Sequence, residues 1–448
     1  MAPFPGPYKV LALDLTQDVV FTNTVSNSPV RGAGRPNAAY AMERVIETVA
    51  RSLNIDSAEL RRRNFVEKKD FPYKTGLIHF NGRAMTYDSG DYHGLLEKAL
   101  DLADYDGFNI RQTDARKQGR YLGIGVSSCI EDTGMGPYEG VTVRIDPRGK
   151  VYVCSGAASQ GQGHKTILRQ IVADELRINI DDIHVEIGDT ARFPQGVGTV
   201  GSRIGVNIGT AAYSAAIEVR HKALTLAADI LEVDLDDLEL EDGIVRDKGS
   251  SNVTISLGEL ALKLAPMAGA AIPEGHTASL ESTSFESSNG PPHASGTNVC
   301  EVEVDTGTGE VKLLNYCVAH DCGKKINPLI VEGQIIGGVV HGIGNALFEQ
   351  MIYDDGGQPQ NTNYGEYLLP LATEMPPINI VHQETPSPLN PLGLKGAGEG
   401  GTIPAANAVV AAIENALQDF GVVIDRYPVT PEYLCNLIDA GPSKTKAN

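Results

Sequence analysis

A single carboxylate in a glycine loop is the first candidate for chemistry. Glu399 lies within the sequence Gly-Ala-Gly-Glu-Gly-Gly of residues 396–401, which formally matches the GxGxxG pattern of dinucleotide-binding loops. That interpretation is disfavoured, because the preceding stretch 384–392 contains prolines and the Glu399 carboxylate would repel a pyrophosphate. We expect apolar surroundings that raise the pKa of Glu399, as a general base requires, although an acid stabilised by the following helix is the commoner explanation.

Two further glycine loops, at 156–163 and 196–203, could bind a phosphate or a polar ring. The first has the GxxxxG spacing of a P-loop, but Gln162 stands where the phosphate-binding lysine belongs, so a nucleoside triphosphatase is disfavoured. A plain glycine turn is an equally good interpretation of this first loop. The second loop places Thr199, Ser202 and Arg203 before a predicted helix, and this combination of donors favours phosphate binding.

The sequence gives no pattern for a metal held by protein side chains. The ten histidines show no HxxxH spacing, and the six cysteines show no CxxC. Cys317 and Cys322 have the first spacing of a plant-type iron–sulfur site, but the next ligand position is Lys325. We therefore expect buried, reduced cysteines and no iron–sulfur cluster on this chain.

Two stretches repeat the order hairpin, loop, helix. The first runs from strands at 141–145 and 150–154 to a helix at 165–176, and the second from strands at 302–304 and 311–318 to a helix at 331–349. Long helices rich in alanine, at 207–227 and 405–420, are expected to cover the sheets. These patterns predict an α+β fold of two related lobes with converging loops, preceded by the tail of an earlier lobe.

Three domains are predicted, with bounds 1–110, 111–285 and 286–448. In the first, a helix is expected to start at Asn37 and to bury an apolar stripe of Met42, Val45, Ile46, Val49, Ala50 and Leu53. The stretch 66–92 is expected to be a loop, and the polar stretch 105–120 a connection between domains.

The composition excludes several partner classes. The 448 residues carry a net charge of −20, which repels nucleic acid. No run of 18 apolar residues and no secretory leader pattern is present, so neither a membrane span nor export is expected. Together with the reduced cysteines, these features predict a cytoplasmic protein.

Five segments together resemble the molybdenum-cofactor subunit of the xanthine oxidase family of molybdenum hydroxylases. They occur in the family's order over nearly the whole chain, and Gln162 and Thr199 have the family's spacing of 37 residues. The segments are RGAGRPNAAYAMERVIE (31–47), SQGQGHKT (159–166), GTVGSRIGVNIGTAAY (198–213), HDCGKKINPLIVEGQIIGGVVHGIG (320–344) and LKGAGEGGTIPAANAVVAAI (394–413).

The resemblance implies a pterin cofactor whose dithiolene holds the molybdenum, so that no protein ligand to the metal is needed. Glu399 matches the family's base, which takes a proton from a metal-bound hydroxyl while a substrate carbon is hydroxylated and a hydride passes to a sulfido ligand. The positions that match cofactor-binding positions are Arg31, Gly32, Gln162, Gly163, Thr199, Gly201, Ser202, Arg203 and Gly398.

Those matched positions have different implied roles. Arg31 and Gly201 would place backbone beside the metal, and Gln162 would hydrogen-bond the pterin or an oxo ligand. The phosphate and the nucleotide of the cofactor would be bound by Thr199, Ser202 and Arg203. Bacterial relatives commonly use cytosine as the nucleotide, so the expected cofactor is molybdopterin cytosine dinucleotide.

Two positions depart from known branches of the family. Ala33 replaces the aromatic residue of the xanthine-oxidising branch, and Gly32 stands where copper-binding carbon monoxide dehydrogenases carry a cysteine. A bacterial hydroxylase acting on an N-heterocycle or an aldehyde therefore remains the favoured interpretation. The alternatives are a non-catalytic scaffold, a cofactor-insertion partner, or a carbon monoxide dehydrogenase-like relative.

The resemblance also predicts partner subunits. The family's large subunit has another glycine-rich cofactor motif well before the RGAG loop, and here only 30 residues precede Arg31. We therefore expect the C-terminal portion of a split large subunit, as in a nicotinate dehydrogenase-like arrangement, with a companion molybdenum-site subunit. Since six scattered cysteines cannot hold two [2Fe-2S] clusters and no FAD loop is present, a flavin subunit and an iron–sulfur subunit are also expected.

Overall fold

A computed structural model describes residues 4–26, 28–79, 82–266 and 271–441 as a mixed α+β fold. The α-helices in these ranges are α1 Arg35–Leu53, α2 Ser57–Asn64, α3 Tyr92–Leu102, α4 Tyr105–Lys117, α5 His164–Leu176, α6 Ile204–Leu231, α7 Leu257–Lys263, α8 Pro328–Leu347, α9 Ala405–Ala416 and α10 Pro431–Ala440. The strands are β1 Tyr73–Ile78, β2 Ala84–Tyr87, β3 Tyr121–Asp132, β4 Glu139–Ile145, β5 Val151–Ser155, β6 Ile183–Ile187, β7 Leu238–Glu241, β8 Ile244–Asp247, β9 Ser250–Ser256, β10 Glu281–Glu286, β11 His293–Val304, β12 Val311–Asp321 and β13 Ile378–Gln383. The predicted fold class is confirmed.

Two four-stranded sheets share the connectivity of three of their four strands. Their strand orders are β10-β4-β5-β6 and β13-β12-β11-β3. In each sheet an antiparallel hairpin (β4–β5, β11–β12) is followed by a helix (α5, α8) and then by a parallel strand (β6, β13). A parallel strand needs such a crossover, because its start lies at the far end of the preceding strand. The predicted duplication of hairpin, loop and helix is therefore confirmed.

Helix α9 packs directly against β3. Every residue of α9 except Asn415 is buried. A Cβ atom on Gly123 would lie 2.0 Å from the carbonyl oxygen of Ala412, and one on Gly125 would lie 2.3 Å from that of Ala408. Only glycine allows this approach, which brings the end of β3 next to the loop that precedes α9.

The first helix differs from its prediction at both its start and its buried face. Helix α1 begins at Arg35 rather than Asn37, because Gly34 has a left-handed backbone (φ 85°) and Pro36 fits the first helical turn. Ile46 and Ala50 of the predicted stripe are buried, but Val45, Val49 and Leu53 are exposed. Ion pairing changes the buried face, since buried Glu43 bonds the guanidinium of Arg61 at 2.6 Å.

Two predicted loops contain regular structure. The stretch 66–92 holds the hairpin β1–β2, and the stretch 105–120 holds α4. Only Phe108 and Ala115 of α4 are buried, so its sequence lacks the apolar periodicity of an amphipathic helix. The prediction of a connection between domains is therefore wrong for this stretch.

The predicted domain bounds at 110/111 and 285/286 stay a prediction. Strand β3 lies within the predicted domain 111–285. It nevertheless pairs with β11 along its whole length, and β11 lies in the predicted domain 286–448. Among the helices of the described residues, none is long and apolar enough to cross a bilayer.

Candidate active site

Loops from both sheets surround a cavity of about 600 Å³. Eight of the residues singled out from the sequence line it: Arg31, Gln162, Thr199, Gly201, Ser202, Arg203, Gly398 and Glu399. The other two, Gly32 and Gly163, directly follow lining residues in the chain. Because helices and strands of two lobes meet here, residues almost 370 positions apart form one site.

Glu399 is 8% exposed and is held by three groups. Its Oε2 accepts a hydrogen bond from Arg35 Nη1 at 3.1 Å, its backbone N–H donates to Ser202 Oγ at 2.9 Å, and its carbonyl accepts from the N–H of Thr402 at 2.9 Å. The expectation of apolar surroundings is wrong, since a guanidinium faces the carboxylate. The carboxylate therefore has a fixed orientation at the cavity wall.

Arg35 is itself fixed by a second carboxylate at the end of β3. Its Nε donates to Asp132 Oδ1 at 2.6 Å and its Nη2 to the Asp132 carbonyl at 3.0 Å, while His79 Nε2 lies 2.9 Å from Asp132 Oδ2. Burial acts to raise the pKa of Asp132, but the hydrogen bond with His79 and the charge of Arg35 outweigh it and lower the pKa. Asp132 thus holds Arg35 as a charged partner of Glu399.

Arg31 joins the RGAG loop to the loop of Glu399. Its Nε donates to the carbonyl of Gly398 at 2.6 Å, and its Nη2 donates to the carbonyl of Gln334 on α8 at 2.8 Å. Arg31 lines the cavity, and its side chain connects the RGAG loop to two other elements of the cavity wall.

Glycine allows the loop of Glu399 to lie against the loop of Ser202. A Cβ on Gly396 would lie 1.9 Å from the Ser202 carbonyl oxygen, and one on Gly398 would lie 3.2 Å from Ser202 Oγ. Ser202 has φ 48°, a left-handed conformation that its short side chain tolerates. The close contact sets the distance between the candidate base and the second glycine loop.

The first and second glycine loops cross at their first glycines. A Cβ on Gly156 would lie 1.8 Å from the carbonyl oxygen of Gln195, and one on Gly196 would lie 2.4 Å from that of Gly156. Further along, Gln162 Oε1 accepts from the N–H of Gln160 at 2.6 Å. The two loops therefore form one wall of the cavity, and the choice between a ligand-binding loop and a plain glycine turn at residues 156–163 stays a prediction.

Arg203 lines the cavity, but its guanidinium donates its hydrogen bonds to other groups of the protein. Its guanidinium pairs with Glu139 and donates to the carbonyls of Met135, Pro137 and Gly198. Its side chain is 2% exposed. A direct contact with a phosphate stays a prediction, and the structure shows Arg203 fixing the 198–203 loop.

The cavity fits a phosphate-bearing polar cofactor. A Cβ on Gly161, Gly198 or Gly201 would meet no atom within 4 Å, so a bound group could approach the backbone closely at these positions. Lys324 and Lys325 also line the cavity, and Lys325 pairs with Glu384 at 2.8 Å. Backbone donors with ammonium groups are the chemistry that holds phosphates.

Sequence reasoning missed several residues of the site. Arg35 and Gln334 lie within segments that carried the resemblance, but no role was assigned to either. Glu131 and Asp132, two acids ending an otherwise apolar strand, were a signal that could have been noticed. Burial, and then the charge of Glu399, raise the pKa of Glu131 well above its ordinary value.

Models of two protein domain families match the chain. Both are described as molybdopterin cofactor-binding domains, and they cover residues 98–376 and 1–65. The chain is therefore a molybdopterin cofactor-binding protein.

Curated relatives are similar to almost all of this chain. The gamma subunit of the 6-hydroxypseudooxynicotine dehydrogenase complex of Paenarthrobacter nicotinovorans is 38% identical over 432 residues, covering 96% of this chain and 54% of the relative. The nicotine 6-hydroxylase large subunit of the same organism is 36% identical over 439 residues, covering 95% and 53%. The chain thus spans about half the length of these relatives.

Solved structures agree with the sequence comparison. Quinoline 2-oxidoreductase of Pseudomonas putida 86 is 38% identical with a TM-score of 0.84, over 92% of this chain and 53% of that one. Carbon monoxide dehydrogenase of Oligotropha carboxidovorans is 32% identical with a TM-score of 0.83, over 91% and 52%. This chain belongs to the xanthine oxidase family, as a molybdenum-binding large-subunit polypeptide.

Proposed function

We propose that this chain is the molybdopterin-binding subunit of a bacterial multi-subunit molybdenum hydroxylase, and that Glu399 is its general base. The hydroxylase would act on an N-heterocycle or an aldehyde, with water as the oxygen source. The observation that carries the proposal is the fixed carboxylate of Glu399 at the wall of a cavity built from all five family segments.

The side chains around Glu399 hold its carboxylate in position for proton transfer. Its Oε2 is engaged by Arg35, and Ser202 fixes its backbone, so the carboxylate is held before substrate arrives. Burial among the loops keeps bulk water away, which strengthens the effect of each charge in the site. The bound cofactor would supply the two-electron redox chemistry.

The proposed cofactor is molybdopterin cytosine dinucleotide with molybdenum. The residues that would hold it are Arg31, Gly32, Gln162, Gly163, Thr199, Gly201, Ser202, Arg203 and Gly398. The open backbone at Gly201 and at its neighbour Gly198 supports this assignment. Arg203 would act by holding its loop, given its internal hydrogen bonds.

An N-heterocycle is the substrate class that the relatives favour. Two similar proteins are named for nicotine and quinoline, both of which are N-heterocycles. Ala33 lines the cavity with a small side chain, which leaves room for a flat ring. The runner-up, carbon monoxide oxidation, is supported by the similarity to that dehydrogenase, but Gly32 offers no thiol for copper.

The proposal includes partners that carry the remaining redox centres. We place FAD and [2Fe-2S] clusters on separate subunits, and the front part of the molybdenum site on a companion chain. Support comes from residues 11–26, whose side chains are all exposed and include Leu11, Val19, Val20 and Phe21. Such an apolar segment suits burial against a partner. The six cysteines, none in a disulfide, suit a reducing cytoplasm.

Metal analysis and one substitution test the proposed function. The complex purified from a cofactor-producing strain should contain about one molybdenum per copy of this chain. Glu399→Gln should retain the metal and lower kcat at least about a hundredfold, because the amide cannot accept the proton. Absence of molybdenum would favour a scaffold or insertion partner, and near-normal kcat with full metal would contradict the role of Glu399.

A further inference from the structure

Two buried polar side chains beside Glu399 have no role in the proposed reaction so far. Glu131 and His320 are each 1% exposed. Within the described part of the chain, neither carboxyl oxygen of Glu131 and neither ring nitrogen of His320 has a partner at normal hydrogen-bond distance, and the Ser202 hydroxyl is close enough to Glu131 to act on its pKa, which that hydroxyl lowers. Because buried polar groups are nearly always paired, two adjoining exceptions at one site need a functional explanation.

The sheet register aligns these side chains in a row. On β11, Gly296 lies opposite both Cys129 of β3 and His320 of β12, and His382 of β13 lies opposite His320. Residues directly opposite share a face of the sheet, as do residues two apart on a strand, so Glu131 shares the face of Cys129. Because residue 296 is a glycine, no side chain of β11 lies between His320 and Cys129 in this row.

The inner end of the row meets the loop of Glu399. A Cβ on Gly400, the next residue, would lie 2.6 Å from His320 Nε2 and 3.7 Å from Glu131 Oε2. The glycine therefore brings the catalytic loop onto both side chains at once.

The outer end of the row reaches the surface. The ring centroids of His320 and His382 are 6.4 Å apart. His382 Nε2 lies 3.9 Å from Oε1 of Glu332, whose side chain is 48% exposed. His382 itself is 12% exposed and lies on the edge strand β13, so Glu332 is the group that connects the row to solvent.

The protonation of these groups suits proton transfer. Burial and the charge of Glu399 raise the pKa of Glu131, burial lowers the pKa of His320 to about 3, and burial also lowers the pKa of His382. The charged or titratable groups around the row are Arg31, Arg35, Asp132, Cys129, Glu399, Lys325, Lys395, Glu332 and Glu384. A neutral carboxyl and neutral imidazoles each have one acceptor and one donor, which a relay requires.

We propose that Glu131, His320 and His382 form a proton exit path from Glu399 to the surface at Glu332, and the proposal rests on the role of Glu399 as the base. After Glu399 takes a proton, Glu131 accepts it on one carboxyl oxygen and releases its own proton from the other. His320 and then His382 do the same through their two ring nitrogens, with water bridging the gaps. One proton leaves for each proton taken, so Glu399 returns to its carboxylate form and Glu131, His320 and His382 return to their neutral forms.

Proton release during a single turnover tests the path. In the purified, molybdenum-loaded complex, a pH-indicator dye should report release at least about tenfold slower in Glu131→Gln and in His382→Gln than in the wild type. Added imidazole should restore the rate of His382→Gln, because the half-buried position lies beside the exposed side chain of Glu332, from which imidazole can enter. His184→Gln is the matched control, since His184 Nε2 also lies near a glutamate, Glu186, at 3.3 Å, but on the other sheet.

An infrared measurement gives a readout that does not depend on turnover. The resting complex should show the carbonyl band of a protonated carboxyl, and Glu131→Gln should remove it. Glu414→Gln should leave that band unchanged, because buried Glu414 is ion-paired with Arg44 and Arg51.

The outcomes separate this proposal from the proposed function. Normal dye kinetics in both Glu131→Gln and His382→Gln, while Glu399→Gln is inactive, would overturn the path and leave the base in place. An unchanged infrared band in Glu131→Gln would overturn the neutral state of Glu131 and with it the relay. If Glu131→Gln does not fold, His382→Gln and its imidazole rescue decide the question alone.

Discussion

At the scale of single residues, the charges of the site form a chain of pairs. Glu399 faces Arg35, Arg35 faces Asp132, and Asp132 faces His79, all with polar atoms 2.6 to 3.1 Å apart. Buried charges are tolerated only with such partners. Among the residues that the structure describes, Glu131, next to Asp132 in sequence, forms no ion pair, and burial and the charge of Glu399 outweigh that of Arg35, so the pKa values of these two neighbouring acids shift in opposite directions.

This pairing predicts an acid-dependent stability for Asp132→Asn. The folded protein lowers the pKa of Asp132, so its contribution is complete above the ordinary value of about 3.9 and is lost as the pH falls through the folded pKa. At neutral pH the variant should be less stable by roughly 3 kcal/mol, because Arg35 loses a charged partner. Unfolding of the purified complex, followed against pH, measures the difference.

The difference between wild type and Asp132→Asn should shrink as the pH falls below about 4, because the Asp132 carboxyl is protonated first in the unfolded chain and only at lower pH in the folded protein. Asp114→Asn, on the exposed face of α4, is the control and should change stability little at any pH. A difference that stays constant into acid would mean that the Asp132 charge does not stabilise the fold.

At the scale of elements, the site depends on loops that approach one another through glycine. The loop of residues 396–401 meets the loop of Ser202, and the loops of Gly156 and Gly196 cross. In each case backbone stands where a Cβ would be, so the neighbouring loop must shift if a side chain is added. Glycines at such contacts thus determine how closely the neighbouring loops of the site approach each other.

Substitution of Gly396 by Ala should therefore separate two walls of the cavity. A Cβ there would lie 1.9 Å from the Ser202 carbonyl oxygen, a backbone atom that can move only with its loop. We expect a loss of stability of about 1–3 kcal/mol and a several-fold lower molybdenum content. Metal analysis and thermal unfolding of the complex measure both effects.

Gly333 provides the matched control for Gly396. It lies in α8, near the same cavity, and a Cβ on it would meet no atom within 4 Å. Gly333→Ala should keep the metal and raise stability by up to about 1 kcal/mol, as alanine favours a helix. Equal metal contents in the two variants would argue against the role of the loop contact.

At the scale of the whole molecule, apolar side chains are exposed outside the described cores. Residues 11–26 form an extended segment, in which Leu11 and Phe21 are fully exposed. A second set of exposed apolar residues follows α8: Met351, Ile352, Tyr364, Leu368, Leu369 and Leu371. Hydrogen bonding joins the two regions, since the N–H of Val25 donates to the hydroxyl of Tyr353 at 3.2 Å.

Phe21→Asp should weaken assembly with the companion chain that we propose. A charge at an apolar contact must be desolvated without a partner, so co-purification of the companion should fall at least tenfold. Ile110→Asp is the control, because Ile110 is 70% exposed on α4. Assembly that tolerates Phe21→Asp as well as it tolerates Ile110→Asp would place the interface elsewhere.

The sequence by itself determined the class of fold and most of the site. Hairpin turns, glycine loops and alanine-rich helices are local patterns, so both lobes were predictable from period and spacing. The resemblance of five segments to one family also predicted that Glu399, Gln162, Thr199 and Ser202 belong to one site, and all four line the cavity. Elements with weak periodicity were not predictable, as the hairpin β1–β2 and the polar helix α4 show.

Only the tertiary structure decided what surrounds each residue. The surroundings of Glu399 follow from contacts with Arg35, which is 364 positions away in the chain, and from the approach of Ser202. The row from Glu131 to His382 depends on strand register across four strands. Long-range pairing decides such features because a charge responds to whatever the fold places beside it, and local sequence does not specify that neighbour.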